Sequence, residues 1–249
     1  MKYFAFGDTH GYYDELMTSL KEAGYQIFNP DHCLIGLGDY FDRGSQSKEI
    51  LEFLNTVPHK VLLLGNHDQY LLNMLKRGFI SEIDVYNGVL ATITSFTGIK
   101  NSHIYVAPDI ALDALNKSDL KPFLDTLIPY FKTKDYFFTH AWLPNSIPFE
   151  DASSSSWTAA IQRNTIEAIR DSSSNGLAVL ETAGRKLVVG HWYTMLLRKE
   201  IRDDGNSDPH AIWYYKNLIA IDGCTPLSHK VNIFVFEDEP LNTLLAKQD

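Results

Sequence analysis

Short apolar runs alternate with amphipathic segments along the first third of the chain. The apolar runs predict strands near residues 2–6, 33–37 and 60–64. The amphipathic segments predict helices near residues 12–24, 45–55 and 69–77. Apolar runs of this length without polar alternation are typical of strands that are buried on both faces. We therefore expect an α/β fold with right-handed β-α-β units and a parallel sheet, and any site at the carboxyl ends of its strands.

The pattern changes after residue 77. The segment near 78–132 is mainly helical in character, with breaks at Gly98 and Pro108, and we expect it to cover the mouth of the site as a cap. Strand-like runs return after Tyr136. The last of them, which predict a terminal antiparallel set, cover residues 213–215, 218–221 and 231–236.

Two serine-rich runs interrupt this part of the chain. Residues 153–156 and 172–176 flank a stretch of helical character over 157–170. Serine, asparagine and glycine are favoured in loops and helix caps, so we interpret both runs as loops inside a domain and not as linkers between domains. We predict a single domain over residues 1–249.

Composition argues against several classes of function. The 22 Lys and Arg against 31 Asp and Glu give a formal net charge of −9, so the chain lacks a basic surface that could follow a nucleic-acid duplex. No apolar run approaches the roughly 18 residues that a membrane span requires, and Met1 and Lys2 lead directly into the first predicted strand. Cys33 and Cys224 lie in apolar runs and indicate no disulfide framework. We expect a cytoplasmic protein with neither a nucleic-acid duplex nor a membrane as partner.

Oxygen- and nitrogen-bearing side chains follow the predicted strands closely. The candidate ligands are Asp8, His10, Asp39, Asn66, His140 and His191. A lone histidine at a strand end is more often a structural residue, and a lone aspartate before a helix is more often an N-cap. The ordered set favours divalent metal ions instead, because it combines carboxylate, amide and imidazole groups without a thiolate. Glycines that directly precede several of these ligands allow a sharp turn and a close approach of the backbone.

These runs resemble the calcineurin-like metallophosphoesterases. The motifs that carry the resemblance stand in the family's order at residues 7–11, 38–44, 65–68, 139–141, 190–191 and 221–224. The run Gly-Asp-x-x-Asp-Arg-Gly at 38–44 is similar to the phosphoprotein phosphatase branch. Residues 86–96 are similar to a segment of the small bacterial and phage phosphatases, which include the lambda phosphatase-like branch and the symmetrical dinucleoside tetraphosphatases. The resemblance implies a four-layer sandwich in which two mixed β-sheets are flanked by helices.

The resemblance also implies a dinuclear metal centre. It assigns one ion to Asp8, His10 and Asp39, and the other to Asp39, Asn66, His140 and His191. Asp39 would then bridge two divalent ions. Such a pair polarises a bridging water into hydroxide and holds the phosphoryl oxygens during in-line attack. Manganese is the expected metal, with iron or zinc as alternatives.

Further residues receive roles from the resemblance. His67 would protonate the leaving oxygen, and Asp42 would orient the His67 imidazole. Arg43 and Asn66 would contact the substrate phosphate, Arg43 through its planar guanidinium.

Some positions depart from the family pattern. Eukaryotic protein phosphatases usually have an arginine where this chain has Leu64, and Arg163 is the candidate replacement at the substrate phosphate. Trp142 and Trp192 stand where the family commonly has glycine and threonine, so we expect them to narrow the site. Together with Tyr40 they could stack on a nucleobase.

These features leave three hypotheses for function. The leading one is a metal-dependent phosphomonoesterase, a serine/threonine protein phosphatase that acts on phosphorylated protein or on small phosphoesters. The alternative enzyme is a symmetrical dinucleoside tetraphosphatase, which would have to bind a nucleobase. The non-enzyme alternative is a degenerate phosphatase fold that serves as a binding module. Loss of a ligand would be the signature of that module, and all six candidates are present.

Overall fold

The computed structural model describes residues 1–145, 148–171 and 176–239. The first part alternates strand and helix as β1 (Lys2–Phe6), α1 (Tyr13–Glu22), β2 (His32–Gly36), α2 (Ser47–Thr56), β3 (Lys60–Leu62) and α3 (Asn66–Arg77). Five helices follow, namely α4 (Glu82–Asn87), α5 (Val89–Thr97), α6 (Asn101–Val106), α7 (Pro108–Asn116) and α8 (Leu120–Leu124). The six elements predicted for the first third are all present. The third helix starts three residues earlier than predicted, at Asn66.

The second half returns to strands. Its elements are β4 (Tyr130–Lys132), β5 (Tyr136–Thr139), a 3₁₀ turn (Phe149–Asp151), α9 (Ser154–Ala160), α10 (Thr165–Arg170), α11 (Gly176–Thr182), β6 (Lys186–Val189), α12 (Thr194–Glu200), β7 (Trp213–Tyr215), β8 (Leu218–Ala220), α13 (Thr225–Ser228) and β9 (Ile233–Glu237). Among these helices and those before them, none is long and apolar enough to cross a membrane in the described ranges.

The strands form two mixed sheets. The first has the order β3-β2-β1-β9, in which β1, β2 and β3 are parallel and β9 is antiparallel to β1. The second has the order β4-β5-β6-β8-β7, with β5, β6 and β8 parallel and the two edge strands antiparallel. The expected α/β fold with two mixed sheets is therefore confirmed.

Three apolar clusters explain why the strands read as unbroken apolar runs. In β1, Tyr3 and Ala5 belong to the cluster that also holds Phe138 of β5, so these side chains pack between the two sheets. Phe4 and Phe6 point the other way and pack with the helices outside the first sheet. In the same manner Phe137 packs with the helices outside the second sheet. Each sheet is thus covered on both faces, which removes any need for polar alternation.

The structure corrects three of the sequence predictions. Residues 130–132, predicted to be part of the helical segment, form β4. The helical stretch over 157–170 is two helices, α9 and α10. The predicted terminal antiparallel set is divided between sheets, because β7 and β8 pair in the second sheet whereas β9 pairs with β1 in the first. Residues 172–175 of the second serine-rich run and residues 240–249 lie outside the described residues, and the single domain stays a prediction.

Candidate metal centre

Chain segments that leave the carboxyl ends of the strands bring the predicted ligands together. Asp39, which follows β2, lies at the centre of the group. Its Oδ1 is 3.4 Å from His140 Nε2, and its Oδ2 is 3.8 Å from His10 Nε2. The two oxygens of one carboxylate therefore face different imidazoles, an arrangement that suits a carboxylate shared between two cation sites.

Potential ligand atoms form two groups around Asp39. His10, Asp39 and His67 make one group, and Asp39, His140 and His191 make the other, with the ligand atoms of each group within 4.8 Å of one another. Asn66 Oδ1 lies 2.9 Å from His140 Nε2 and so adjoins the second group. Asp8 Oδ1 accepts the main-chain N–H of His191 at 3.0 Å. The structure thus brings together all six candidate ligands, and adds His67 to the first group.

The tautomers of two histidines suit metal ligation. His10 Nδ1 donates to the carbonyl oxygen of Phe41 at 3.0 Å, and His140 Nδ1 donates to that of Leu37 at 2.7 Å. A neutral imidazole with this pattern presents its lone pair on Nε2, the atom that faces Asp39. Burial lowers the pKa of both histidines, which favours this neutral form. Burial, with His140 nearby, also lowers the pKa of His191 to about 3.

The backbone is held in an unusual conformation where the site is built. His10, Asp39, Asp42, Arg43 and His191 have φ values of 47°, 53°, 70°, 64° and 64°. This left-handed region costs about 1–3 kcal/mol for each residue that is not glycine. Five such residues in one site mean that the surrounding fold holds the side chains in place at the expense of local stability.

Two glycines leave the space that the carboxylates occupy. A Cβ atom on Gly65 would clash with Asp39 Oδ1, and one on Gly190 would clash with Asp8 Oδ1. These glycines are needed for the absence of a side chain and not for a positive φ.

Asp68 fixes the two loops that meet at Asp39. Its Oδ2 accepts the main-chain N–H groups of Asp39 and Gly65, each at 2.9 Å, and its Oδ1 accepts that of Tyr40 at 3.3 Å. Burial and the neighbouring Asp39 charge raise the pKa of Asp68 to about 8. Asp68, in the first turn of α3, therefore fixes the backbone that positions the Asp39 carboxylate.

The buried carboxylates would carry negative charge that positive charge must neutralise. Burial, then the charges of Asp222 and Asp39, raise the pKa of Asp8 well above its usual range. Burial likewise raises the pKa of Asp222 to about 7, and its Oδ2 has no hydrogen-bond partner among the described residues. Burial would also raise the pKa of Asp39, but the histidines around it outweigh burial and lower that pKa. Three carboxylates with nitrogen and oxygen neighbours fit divalent cations, which would satisfy this charge.

Asp42, His67 and Thr92 form a buried hydrogen-bonded chain. His67 Nδ1 lies 2.8 Å from Asp42 Oδ2, and Thr92 Oγ1 donates to Asp42 Oδ1 at 2.9 Å. The Asp42 main-chain N–H donates to the same Thr92 oxygen at 2.9 Å. Burial opposes the charged form of His67, but the carboxylates of Asp39 and Asp42 outweigh it and raise the His67 pKa.

Arg43 lies between the two histidines of the first group. Its guanidinium donates to His10 Nε2 at 2.9 Å and to His67 Nε2 at 3.1 Å. A nitrogen that accepts this hydrogen bond can neither carry a proton nor bind a metal ion at the same time. The position of Arg43 is therefore incompatible with a cation on His10 Nε2 or a proton on His67 Nε2.

Residues 86–96 support this arrangement from outside the site. Gly88 O accepts the main-chain N–H of Arg43 at 3.3 Å, and a Cβ on Gly88 would lie 2.6 Å from that nitrogen. Thr92, one helical turn further on, holds Asp42. The family-like character of this segment was visible in the sequence, but the partners of Gly88 and Thr92 were not.

An open cleft of about 290 Å³ gives access to the centre. Asp8, His10, Asp39, Asn66 and His67 line it together with Arg43 and His191. Its remaining wall is formed by Trp192 and Tyr193, which directly precede α12, and by Leu196 in the first turn of that helix. Tyr193, which the sequence interpretation missed, places its hydroxyl oxygen 3.4 Å from Arg43 Nη1. Within the described chain, none of the lining residues comes from the segment near 78–132, and its role as a cap stays a prediction.

Three predicted contributors do not reach the cleft. Trp142 is fully buried in the apolar cluster outside the second sheet. Tyr40 is also fully buried, and its hydroxyl donates to the carbonyl oxygen of Leu63 at 3.0 Å. The guanidinium of Arg163 donates to Asn145 at 2.7 Å and pairs with Asp171 at 3.3 Å, away from the residues that line the cleft. The rings of Trp142 and Tyr40 cannot stack on a ligand in the cleft, because both are buried among apolar side chains.

Comparison with known proteins identifies the family. The sequence profile of the calcineurin-like phosphoesterases matches residues 1–195, which is most of the chain. The chain therefore belongs to the calcineurin-like phosphoesterase family.

Relatives match over a shorter stretch. The symmetrical bis(5'-nucleosyl)-tetraphosphatase of Legionella pneumophila (strain Lens) is 38% identical over 76 residues, which are 30% of this chain and 27% of that protein. The protein of the same name from Enterobacter sp. (strain 638) is 40% identical over 74 residues, which are 29% of this chain and 25% of that protein. The match thus spans about a quarter of the length of these relatives.

Solved structures share the fold over nearly the whole chain. A candidate diadenosine tetraphosphatase superposes with a TM-score of 0.60 at 17% identity, covering 94% of this chain and 89% of that chain. The cold-active protein tyrosine phosphatase of the psychrophile Shewanella sp. superposes with a TM-score of 0.59 at 17% identity, covering 95% and 75%. At such identity the likeness shows the common fold alone.

Proposed function

We propose that this member of the calcineurin-like phosphoesterase family is a dinuclear metal-dependent hydrolase that cleaves dinucleoside tetraphosphates symmetrically. The observation that supports a hydrolase is the position of Asp39, whose two carboxylate oxygens face His10 and His140. A binding module that had lost its chemistry would have no need to keep this carboxylate buried among histidines in a left-handed backbone conformation.

The ligand roles are those that the family resemblance implies, and the two groups of ligand atoms around Asp39 support them. Asp8, His10 and Asp39 would hold one ion. Asp39, Asn66, His140 and His191 would hold the other. When bound there, two divalent cations supply the Lewis-acid charge that activates water for in-line attack and offsets the charge of the phosphoryl oxygens. The nitrogen and oxygen donor set favours manganese, with iron and zinc as the other candidates.

The remaining residues act on the substrate. Arg43 leaves its imidazole partners and forms paired hydrogen bonds with non-bridging phosphate oxygens, and the amide of Asn66 contacts the same phosphate. Once Arg43 has moved, His67 Nε2 is free to carry a proton. His67 donates that proton to the leaving oxygen, while Asp42 holds the ring through Nδ1.

The choice of substrate rests on the cleft wall and on the relatives. Trp192 and Tyr193 border the cleft next to Arg43 and offer flat apolar faces on which a nucleobase can stack. The sequence relatives named above are symmetrical tetraphosphatases. Attack of water on an inner phosphorus breaks its bond to the central bridging oxygen, and that oxygen takes the proton from His67. Both products are then nucleoside diphosphates.

A serine/threonine protein phosphatase is the second candidate. The run at 38–44 resembles the phosphoprotein phosphatase branch, and it supplies Asp39, Asp42 and Arg43. A cleft that is open on one side would also admit a phosphorylated side chain on a peptide.

Product analysis separates the two candidates. Manganese-loaded protein is incubated with diadenosine tetraphosphate and, separately, with phosphoserine and phosphothreonine peptides, and the products are resolved by chromatography. We expect two ADP from each dinucleotide and at least a tenfold lower kcat/KM on the peptides. ATP with AMP would contradict symmetrical cleavage, and peptide turnover alone would favour the second candidate. Asp39→Asn serves as the inactive control, and Arg163→Ala as the control with a charge change outside the cleft.

A further inference from the structure

We propose that an exposed apolar surface on the helical segment after α3 is the interface of a homodimer. Six large apolar side chains are more than half exposed on residues 79–86 and 105–110. They are Phe79, Ile83, Tyr86, Tyr105, Val106 and Ile110, and we call them the cap patch. Tyr86 and Val106 are the most exposed, at 86% and 84%. This surface belongs to neither the metal centre nor its cleft.

A cavity of about 320 Å³ lies between the two segments that carry the cap patch. Its walls include Ile80, Val85, Leu90 and Ile104, so it is mainly apolar. A volume of this size is at the low end of ligand pockets and accommodates an aromatic side chain. Tyr86 directly follows Val85 in the chain, and its exposed ring protrudes beside the cavity. The same surface therefore presents both a protruding ring and an apolar recess.

A surface with both features is suited to a second copy of itself. In a two-fold interface the same patch is used by both partners, and each residue contact occurs twice. The protruding Tyr86 of one copy can then enter the recess of the other, and the reverse contact is formed by the same symmetry. A partner of different sequence would need to match both features separately.

The size of the cap patch agrees with a dimer. A fully exposed aromatic side chain presents about 150–250 Å². The six side chains, at the exposures observed, present on the order of 800 Å². This is about the area that each partner buries in an interface of standard size, and more than the few hundred Å² that a monomer commonly exposes.

The charges around the cap patch do not oppose self-association. The chain as a whole carries a formal charge of −9, which would repel a second copy. Next to the patch, however, exposed Lys100 accompanies exposed Glu82 and Asp109, so both signs are present. Exposed Arg77 is also near the patch, but its guanidinium pairs with Asp84 of the same chain. Arg77 also lies over the Phe79 ring at 4.5 Å from its centroid. A mixed border allows opposite charges to meet across a two-fold axis, whereas a strongly acidic or basic partner would meet repulsion from one of them.

Sedimentation velocity of the full chain over about 1–100 μM tests the proposal, and its result does not depend on the substrate of the enzyme. We expect a dimer for the natural sequence. Tyr86→Glu and, separately, Val106→Asp should raise the dissociation constant of the dimer by about 100-fold or more, because symmetry places each buried charge in the interface twice. Tyr86→Ser, which removes the ring without adding charge, should raise it by about tenfold. The matched control is Phe28→Glu, since Phe28 is 79% exposed and lies outside the cap patch.

Three results would overturn the proposal. The first is a monomer at 100 μM for the natural sequence, even if that monomer binds a different protein or a vesicle through the same surface. The second is a dimer whose dissociation constant is unchanged in all three cap-patch variants. The third is an equal weakening by Phe28→Glu. Thermal unfolding of each variant within a few degrees of the natural sequence shows that a loss of dimer is not a loss of fold.

Discussion

The replacement Asp42→Asn tests the proposed general-acid role of His67 separately from the metal centre. The side chain keeps its shape but loses the charge that faces His67 Nδ1 at 2.8 Å. Both side chains are buried, so water cannot replace the lost interaction. A charge-assisted hydrogen bond of this kind contributes about 1.5–3 kcal/mol. If the interaction is fully used in the transition state, its loss lowers kcat by roughly 10-fold to 150-fold.

The pH dependence gives a second, independent readout. The carboxylates of Asp39 and Asp42 raise the pKa of His67 against the effect of burial. The acid form of His67 is present below that pKa and is lost as pH rises through it. Asp42→Asn removes one of the two carboxylates, so the pKa falls and the descending limb of the pH profile of kcat moves to lower pH. The metal content, measured by elemental analysis, should stay that of the natural protein.

Two substrates with different leaving groups complete the assay. A dinucleoside tetraphosphate or phenyl phosphate has a leaving oxygen that needs a proton, whereas p-nitrophenyl phosphate has one that barely does. We expect the full loss of kcat on the first kind and at most a few-fold loss on the second. Equal losses on both kinds, or a descending limb that does not move, would refute the assignment of His67 as the acid that Asp42 orients.

Three further predictions concern residues around the same centre. Asp39→Asn should reduce the metal content from two ions per chain to less than one and lower kcat/KM by about 10³-fold or more; two retained ions would contradict the shared position of this carboxylate. Arg43→Ala should lower kcat/KM by more than about tenfold, with both a higher KM and a lower kcat, whereas Arg163→Ala should leave steady-state kinetics unchanged. An effect of Arg163→Ala as large as that of Arg43→Ala would instead indicate that Arg163 contacts the substrate phosphate. Thr92→Val should lower the free energy of unfolding by about 1–3 kcal/mol in chemical denaturation, because the buried N–H of Asp42 loses its acceptor, while Thr92→Ser should be close to neutral.

Parts of this site hold functional side chains in position at a cost in folding stability. Five residues that are not glycine hold left-handed backbone conformations around the proposed ions. Metal binding would offset part of that strain and part of the repulsion among Asp8, Asp39 and Asp222. We therefore expect the addition of manganese to raise the unfolding temperature of the protein as well as to support its activity.

Local sequence pattern was enough to locate the elements of the first third and to single out the residues that lie together at the centre. Apolar runs buried on both faces differ strongly from amphipathic helices, so local pattern was sufficient to locate β1, β2 and β3. The candidate ligands stand directly after strands, and parallel strands of one sheet end at the same edge. Chain order is therefore sufficient to predict that Asp8, Asp39 and Asn66 lie near one another.

The pairing of distant segments and the exposure of side chains depend on the packed fold. The pattern of β9 reads as one more strand beside β7 and β8, but it pairs with β1, more than 200 residues away, because strand pairing depends on the whole sheet. Trp142 and Tyr40 share the aromatic character of Trp192, yet only Trp192 lines the cleft, since burial depends on neighbours that the local sequence does not specify. The support of Asp42 by Thr92 spans 50 residues of chain. Such long-range contacts are set by the packing of helices on sheets, which no local periodicity encodes.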